Sequence, residues 1–197
     1  MKKKGLITII IIVVVVLAIY LWIKGAYNGC VTRQESVESQ WAQVENVYQR
    51  RADLIPNLVA TVKGYAAHEE GTLTAVIEAR AKATSITLDP SDLEPEDIAK
   101  FQAAQDQLSG ALSRLLVTVE QYPDLKASEN FLALQSQLEG TENRITVERQ
   151  KFNEAARNYN QYIRKFPRNI IASMFDFEKV GYFKAQAGSE VAPKVEF

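Results

Sequence analysis

The chain has 197 residues, 47% of them hydrophobic and 24% charged, and its formal net charge is −1. Three of its 23 basic residues precede a long apolar run, so the remainder carries 20 basic against 24 acidic residues. This balance argues against nucleic-acid binding and against broad adhesion to anionic lipid. Because Cys30 is the only cysteine, an internal disulfide is excluded, and we predict a buried apolar thiol there rather than a lipid attachment site.

Residues 6–23 (LITIIIIVVVVLAIYLWI) form an unbroken apolar run with lysines on both sides. As a helix this run extends about 27 Å, close to the thickness of a bilayer's hydrocarbon core, about 30 Å. A cleaved signal peptide is the alternative, but its apolar segment is usually about 7–15 residues long, and no small-x-small cleavage site follows this run. We therefore predict a short basic amino terminus (1–5), a transmembrane helix (6–23) and one helical domain (24–197).

The orientation of this helix follows from the lysines around it. Lys2, Lys3 and Lys4 precede the run, whereas Lys24 and Arg33 are the basic residues in the twenty positions after it. Because cytoplasmic flanks carry the excess of positive charge, we predict a cytoplasmic amino terminus and a body outside the cytoplasm. The flank before the run exceeds the flank after it by only one basic side chain and the α-amino group, so the inverted arrangement stays open.

The body begins with a helix that grows out of the apolar run and reaches about His68. Its apolar positions alternate in steps of four and three, with one polar residue, Arg51, in a core slot. These positions are Val37, Trp41, Val44, Tyr48, Ile55, Leu58, Val62 and Tyr65. Pro56 removes one amide donor and crowds the carbonyl of Ala52, which predicts a kink.

Three further helices follow in the sequence. We predict them at about 70–84, 96–122 and 128–166, with a loop at 85–95 that contains two prolines and three acidic residues. Pro123 and Pro167 end the last two. Since no alternating strand pattern of useful length is found, the predicted fold is all-α: a transmembrane helix followed by a long antiparallel up-and-down bundle with coiled-coil-like packing.

Polar residues also occupy predicted core positions of the last long helix, at Thr141 and Glu148. A buried charge must be paired, and an antiparallel alignment of the two long helices would bring Arg50 or Arg51 to a glutamate of the last helix. The candidates are Glu139, Glu142 and Glu148. Such pairs either set the register of the bundle, which we favour, or form a functional cluster or a docking site for a partner.

Catalytic motifs are scarce in this sequence. It holds one histidine and one cysteine, and His68 is followed by two glutamates without the second histidine of a zinc-binding HExxH motif. We interpret His68 as a polar residue near a helix end, and we expect no cofactor, no metal and no enzymatic activity.

Four segments of the body resemble the LemA family of bacterial membrane proteins. They are RRADLIPNLVATVKGYAAHE, LxxVIEARAKA, LEGTENRITVERQKFNEAARNYNQYIRKFP and GYFKAQAGSEVAPKVEF. The resemblance implies a single amino-terminal span, an antiparallel bundle and a bacterial plasma (inner) membrane location. The resemblance also marks candidates for a structural or interaction role, to which the analysis of core positions adds Glu148. The candidates from the resemblance are Arg50, Arg51, Asp53, Pro56, Asn57, His68, Glu69, Glu139, Glu142, Arg144, Tyr159 and Asn160.

One branch of the family is associated with magnetosome membranes, which makes membrane organisation an implied theme. The leading hypothesis is a membrane-anchored, non-enzymatic scaffold that self-associates as a homo-oligomer and organises an envelope assembly. The alternative is an adaptor for another envelope protein, such as a sensor kinase, a chaperone or a protease. An envelope hydrolase ranks third, because no credible nucleophile and base occur together.

The last 30 residues are more apolar than a solvated tail requires. Residues 168–197 include IIASMFDFEKVGYF, which must be buried against the bundle itself or against a neighbour, because large exposed apolar patches are rare on monomers. Both alternatives stay open at this point.

The orientation can be tested with a cysteine placed at Ser91 in the predicted loop. A thiol reagent that does not cross membranes is expected to label Ser91→Cys in intact spheroplasts, because the body faces outward. Labelling that appears only after lysis would show the inverted arrangement.

Overall fold

The computed structural model describes residues 2–66 and 68–185. These residues form an all-α structure, as predicted, and contain no strand. The helices are α1 (Lys2–Tyr65), α2 (Glu70–Ser85), α3 (Pro95–Val119), α4 (Pro123–Lys126), α5 (Glu129–Arg164) and α6 (Arg168–Met174). Residues 186–197, which end the predicted helical domain and its tail, lie outside the described residues.

α1 carries both the apolar run and the first helix of the body. Its 64 residues extend about 96 Å at 1.5 Å per residue. The side chains of residues 6–22 are exposed, and this stretch is long and apolar enough to cross a membrane. Gly25 and Gly29 lie inside the helix, so a helix rather than a loop joins the body to the apolar run.

The long helices alternate in direction. α5 is antiparallel to α1, because Tyr162 lies against Gly29 while Glu142, earlier in α5, bonds to Arg51, later in α1. In the sequence, α2 and α3 lie between these two helices. They pack against each other as a hairpin, joined by the loop 86–94. The result is the up-and-down bundle that the apolar periodicity predicted.

Buried apolar side chains form two clusters. The proximal cluster, nearer to the apolar run, centres on Trp41, whose indole is surrounded by three phenylalanine rings. Their centroids lie 5.2 Å (Phe101), 5.5 Å (Phe152) and 6.1 Å (Phe183) away. Cys30 is fully buried in this cluster, as predicted, and burial raises the pKa of its thiol. The distal cluster is mostly aliphatic.

The chain after α6 docks on the bundle through three side-chain amides. Each amide accepts a hydrogen bond from a backbone N–H and donates one to the carbonyl of the same residue, at 2.8–3.0 Å. The pairs are Asn160 with Val180, Asn153 with Phe183, and Gln102 with Lys184. Because these bonds go to the backbone, they hold the segment against the bundle independently of its own side chains.

The described part of the apolar tail is therefore docked on its own bundle. Ile171, Ala172 and Phe183 are buried, which decides between the two alternatives for these residues. Ile170 and Met174 stay exposed, however, so the self-docking is incomplete.

Three helix ends fall earlier than predicted: α1 ends at Tyr65 rather than near His68, and two other helices end early before prolines. α3 ends at Val119 rather than near residue 122, and α5 ends at Arg164 rather than at 166. The residue before a proline is driven out of the helical region by the pyrrolidine ring, and Tyr122 and Phe166 both precede prolines. The short helices α4 and α6, which begin around these prolines, were not predicted.

Tyr48 is expected to make the stability of the bundle fall at high pH. Burial raises its pKa to about 12, although Arg149 and Arg51 lower it. An unfolded tyrosine titrates near about 10, so the stabilisation is complete below that pH and is lost as the pH rises towards 12.

Denaturation of the full chain in mild detergent, followed by circular dichroism, measures this effect. Between pH 10 and 12, Tyr48→Phe should lose stability less steeply than the unsubstituted protein. The exposed Tyr65, changed to Phe, is the matched control. Equal slopes for Tyr48→Phe and the unsubstituted protein would contradict the assignment.

Candidate functional site: a buried arginine layer

Arg51 lies between the two apolar clusters and is 2% exposed. Its Nη1 donates to Ser109 Oγ at 2.7 Å and to Glu142 Oε2 at 2.9 Å. Its Nη2 donates to Gln105 twice, to Oε1 at 2.7 Å and to the main-chain oxygen at 3.2 Å. One guanidinium therefore joins α1 to α3 and α5.

The layer extends to α2 through Gln105. Its Nε2 donates to the carbonyl of Ala83 at 3.2 Å, so four helices share one hydrogen-bond network. Tyr48 contributes its ring, whose centroid is 5.1 Å from the guanidinium carbon of Arg51. Arg51 Nε is buried and has no hydrogen-bond partner within the described residues.

Glu142 differs from Arg51 in its solvent contact. Its side chain is 48% exposed, so water screens this ion pair and its carboxylate can be solvated when the pair breaks. Arg51 has no such alternative, since a buried charge without partners costs several kcal/mol. The free energy of the layer thus depends more on the arginine than on the glutamate.

A second arginine, Arg80, donates a hydrogen bond to the main-chain carbonyl that Pro56 leaves without a donor. Proline has no N–H to donate to the carbonyl four residues earlier, which here belongs to Ala52. Arg80 Nε of α2 donates to that carbonyl at 2.8 Å. The gap in the helix ladder becomes a contact between α1 and α2, and α1 continues through Pro56 to Tyr65. The predicted kink at Pro56 stays a prediction.

The structure brings together one of the predicted arginine–glutamate pairs, Arg51 with Glu142. Arg50 is exposed, and Glu139 is exposed and accepts a bond from Gln135. Glu148 makes no ion pair with either arginine and is partly buried at the contact between α5 and α1.

Glu148 lies at the edge of the bundle, with its side chain 18% exposed. It bonds Lys151 at 2.9 Å and Gln40 at 2.7 Å, and these bonds lower the pKa of its carboxyl. Ile145 and Phe152, three residues before and four residues after Glu148, are both buried, so Glu148 lies on the same face of α5, at the margin of the core. Thr141, the other polar residue predicted in the core of α5, is buried.

The remaining candidates lie outside the layer, and most are exposed. The exposed ones are Asp53, Pro56, Asn57, His68 and Arg144. Glu69 is half-buried and accepts a hydrogen bond from the Tyr122 hydroxyl at 2.9 Å, which ties the residue before α2 to the residue before α4.

Tyr159 and Asn160 belong to the docking of the tail. Asn160 holds Val180 and also donates to the Tyr182 hydroxyl at 2.9 Å. Tyr159 is buried in the proximal cluster, and burial raises its pKa to about 12.

Sequence reasoning missed Gln105, Ser109 and Arg80. A signal existed for Gln105, because it continues the spacing of three and four residues between Phe101 and Leu108, in a core position of α3. Nothing local indicates Arg80, whose partner is a main-chain carbonyl 28 residues away.

The chemistry of the layer favours a structural role. Arginine stays protonated at physiological pH and does not act as an acid or base there. In residues 2–66 and 68–185, no group of three or more His, Cys, Asp or Glu side chains is placed to hold a metal ion. The geometry thus defines a helical-bundle protein with a buried structural arginine and an apolar amino-terminal helix.

This chain belongs to the LemA family, whose model matches residues 40–197. It is similar to the magnetosome protein MamQ of Magnetospirillum gryphiswaldense, with 28% identity over 80% of this chain and 64% of that protein. The magnetosome protein MamQ 2 of Paramagnetospirillum magneticum is 26% identical over 83% and 66% of the two chains. Protein LemA of Metamycoplasma hominis is 25% identical over 84% and 72%.

The chain thus spans about two thirds of the length of the MamQ proteins that it matches. The LemA and MamQ proteins are not known enzymes, and proteins of the LemA family are membrane-associated.

We expect a substitution of Arg51 to destabilise the bundle more than a substitution of Glu142, because Arg51 is buried and Glu142 is 48% exposed. Arg51→Lys should lower the free energy of unfolding by about 3 kcal/mol, because an ammonium lacks the fork that reaches Ser109, Gln105 and Glu142 together. Glu142→Gln should lower it by about 1–2 kcal/mol, since Arg51 keeps its three other acceptor atoms, which belong to Ser109 and Gln105.

Chemical denaturation of the full chain in detergent measures both effects. Glu139→Gln is the matched control and should change the value by less than about 0.5 kcal/mol. If Arg51→Lys were as stable as this control, the layer would not constrain the bundle.

Proposed function

We propose that this protein is a membrane-anchored, non-enzymatic structural protein that self-associates and organises an assembly in the bacterial envelope. Residues 6–23 form its single transmembrane helix in the plasma membrane, and the bundle lies on the outer side. The observation that carries the proposal is the unbroken helix α1, which holds the apolar run and the first helix of the bundle in one element.

A continuous helix fixes the bundle relative to the bilayer. Residues 24–65 of α1 extend about 63 Å beyond the apolar run, and α5 is packed against much of that length. Because no loop intervenes, the height and the tilt of the bundle follow those of the transmembrane helix. Proteins fixed in this way present their side faces to identical neighbours in the membrane plane, which favours side-by-side assembly.

Several polar side chains form hydrogen bonds within the protein, which supports a structural role. Arg51, Arg80 and Asn160 make hydrogen bonds that join helices or hold the tail. Two relatives are named as magnetosome proteins, which fits the theme of membrane organisation without assigning that organelle to this chain.

An adaptor for another envelope protein is the second candidate. Several large apolar side chains are exposed in the half of the bundle farther from the apolar run. They include Tyr65 (51%), Ile77 (51%), Val117 (70%) and Leu132 (50%). Exposed apolar residues are typical of surfaces that bind a partner, so this end is where an adaptor would make its contact.

The two functions predict different particles when the full chain is isolated in mild detergent or in nanodiscs of native lipid. Self-association predicts a large symmetric particle by light scattering and electron microscopy. A monomer that retains one other envelope protein in fixed ratio would contradict self-association and support the adaptor.

A matched pair of variants locates the contact. Val117→Glu with Leu132→Glu removes exposed apolar area at the distal end, whereas Ser113→Glu with Asn130→Glu adds the same charge at exposed polar positions nearby. If the adaptor hypothesis holds, the first pair releases the bound protein and the second does not. Under self-association through the side faces, both pairs keep the large particle.

A further inference from the structure

Four large apolar side chains are exposed at the end of the bundle nearest to the apolar run. They lie around the turn between α5 and α6 and just after α6: Phe166 (80%), Ile170 (50%), Met174 (66%) and Phe175 (47%). We call these residues the foot. So much exposed apolar area in one short segment requires a covering surface.

The height of the foot follows from its contacts with α1. The ring of Phe175 lies 4.9 Å from that of Tyr27, which is four residues, or about 6 Å, beyond Ile23. Tyr162 lies against Gly29, and Phe166 follows Tyr162 in the direction of the apolar run because α5 is antiparallel to α1. The headgroup zone of one leaflet is about 5–8 Å thick, so the foot lies at its level.

A basic cleft lies beside the foot. The guanidinium carbons of Arg33 and Arg168 lie 3.8 Å and 4.3 Å from the ring centroid of Tyr162. Lys165 lines the same cleft, whose volume is about 530 Å³ and whose nine lining residues include no Asp or Glu. Among the described residues, none of these three cations has a carboxylate within 4 Å.

Gly29 makes this arrangement possible. A Cβ atom at this position would overlap the hydroxyl of Tyr162, so any other residue would displace the ring that lies against both arginines. The glycine therefore has a local role inside the protein, as the site where the end of α5 approaches α1.

We propose that the foot is a second membrane contact, in which its apolar side chains insert at the boundary of headgroups and acyl chains and the cleft binds the phosphate of an anionic lipid. This inference rests on the proposed membrane anchor, from which it takes the position of the bilayer. The partner is lipid because the surface is continuous with the apolar run and its charge complements phosphate. The acidic balance of the body as a whole confines the attraction to this end.

A second contact has a mechanical consequence. One transmembrane helix alone can rotate about its axis and tilt in the bilayer, whereas a foot at its side restricts both motions. The side faces of the bundle would then meet those of neighbouring copies at a constant angle.

Depth measurements on the full chain in vesicles test the insertion. Phe166→Cys and Met174→Cys carry an environment-sensitive fluorophore, and the vesicles contain phosphatidylcholine, phosphatidylglycerol and lipids spin-labelled at known depths. Native Cys30 is fully buried, so the unsubstituted protein serves as the labelling blank. We expect strong quenching by shallow spin labels at both positions and none at Val117→Cys, the exposed apolar control at the far end.

A label at Ile19→Cys, inside the apolar run, separates this inference from the proposed anchor. If Ile19 is quenched by deep spin labels and the foot is not, the foot proposal is wrong and the anchor stands. If neither is quenched, the anchor itself fails. Self-quenching between labels at Phe166, without quenching by lipid, would show that a second copy of the chain covers the foot and would also overturn the proposal.

The cleft is tested by its preference for spin-labelled phosphatidylglycerol over spin-labelled phosphatidylcholine. Arg33→Gln and Arg168→Gln should each reduce this preference by about fivefold, the equivalent of about 1 kcal/mol per basic residue near an anionic surface. Arg114→Gln and Arg157→Gln remove the same charge at exposed positions elsewhere and should leave the preference unchanged.

Inorganic phosphate distinguishes the two sources of the ligand. If added phosphate at millimolar concentration abolishes the preference for phosphatidylglycerol, the cleft is a site for the free ion and the lipid assignment is wrong. Equal losses in the cleft variants and in the control variants would likewise overturn it.

Discussion

The structure depends on the burial of one guanidinium. Arg51 is 2% exposed and sits between two apolar clusters, where an unpaired charge would cost several kcal/mol. Its acceptors come from α3 and α5, and Gln105 carries the network on to α2. Sliding α5 by one helical turn, about 5.4 Å, would remove Glu142 from reach. The apolar clusters tolerate such shifts better than the directional bonds do, so the arginine layer specifies the register of the bundle.

That register is transmitted along α1 towards the apolar run. Once Glu142 is opposite Arg51, the antiparallel course of α5 places Tyr162 opposite Gly29 and the turn after α5 beside the end of the apolar run. The position of the foot thus depends on an interaction about 33 Å away along α1, from Gly29 to Arg51. A rigid helix makes such a connection possible, because it has no joint in which the shift would be lost.

The chain after α6 completes the proximal cluster without forming a helix or strand. Phe183 fills the space beside Trp41, and Asn153 satisfies both backbone groups of Phe183. Segments without regular structure leave backbone donors and acceptors unpaired, and side-chain amides can satisfy a donor and an acceptor at once. The carboxamides of α3 and α5 therefore supply the hydrogen bonds to the backbone of this segment that a neighbouring strand supplies in a sheet.

The helical class, the approximate span of each long helix and the core position of Arg51 could be predicted from the sequence, because periodicity and prolines act over a few residues. The sequence also limited the partners of Arg51 to three glutamates, through the antiparallel order of the helices. Three outcomes are visible only in the packed bundle: the pairing of Arg51 with Glu142, the bond between Glu148 and Gln40, and the bond from Arg80 to the carbonyl that Pro56 leaves free. These contacts join residues 28 to 108 positions apart, and they depend on the rotation and the distance of packed helices, which no local pattern records.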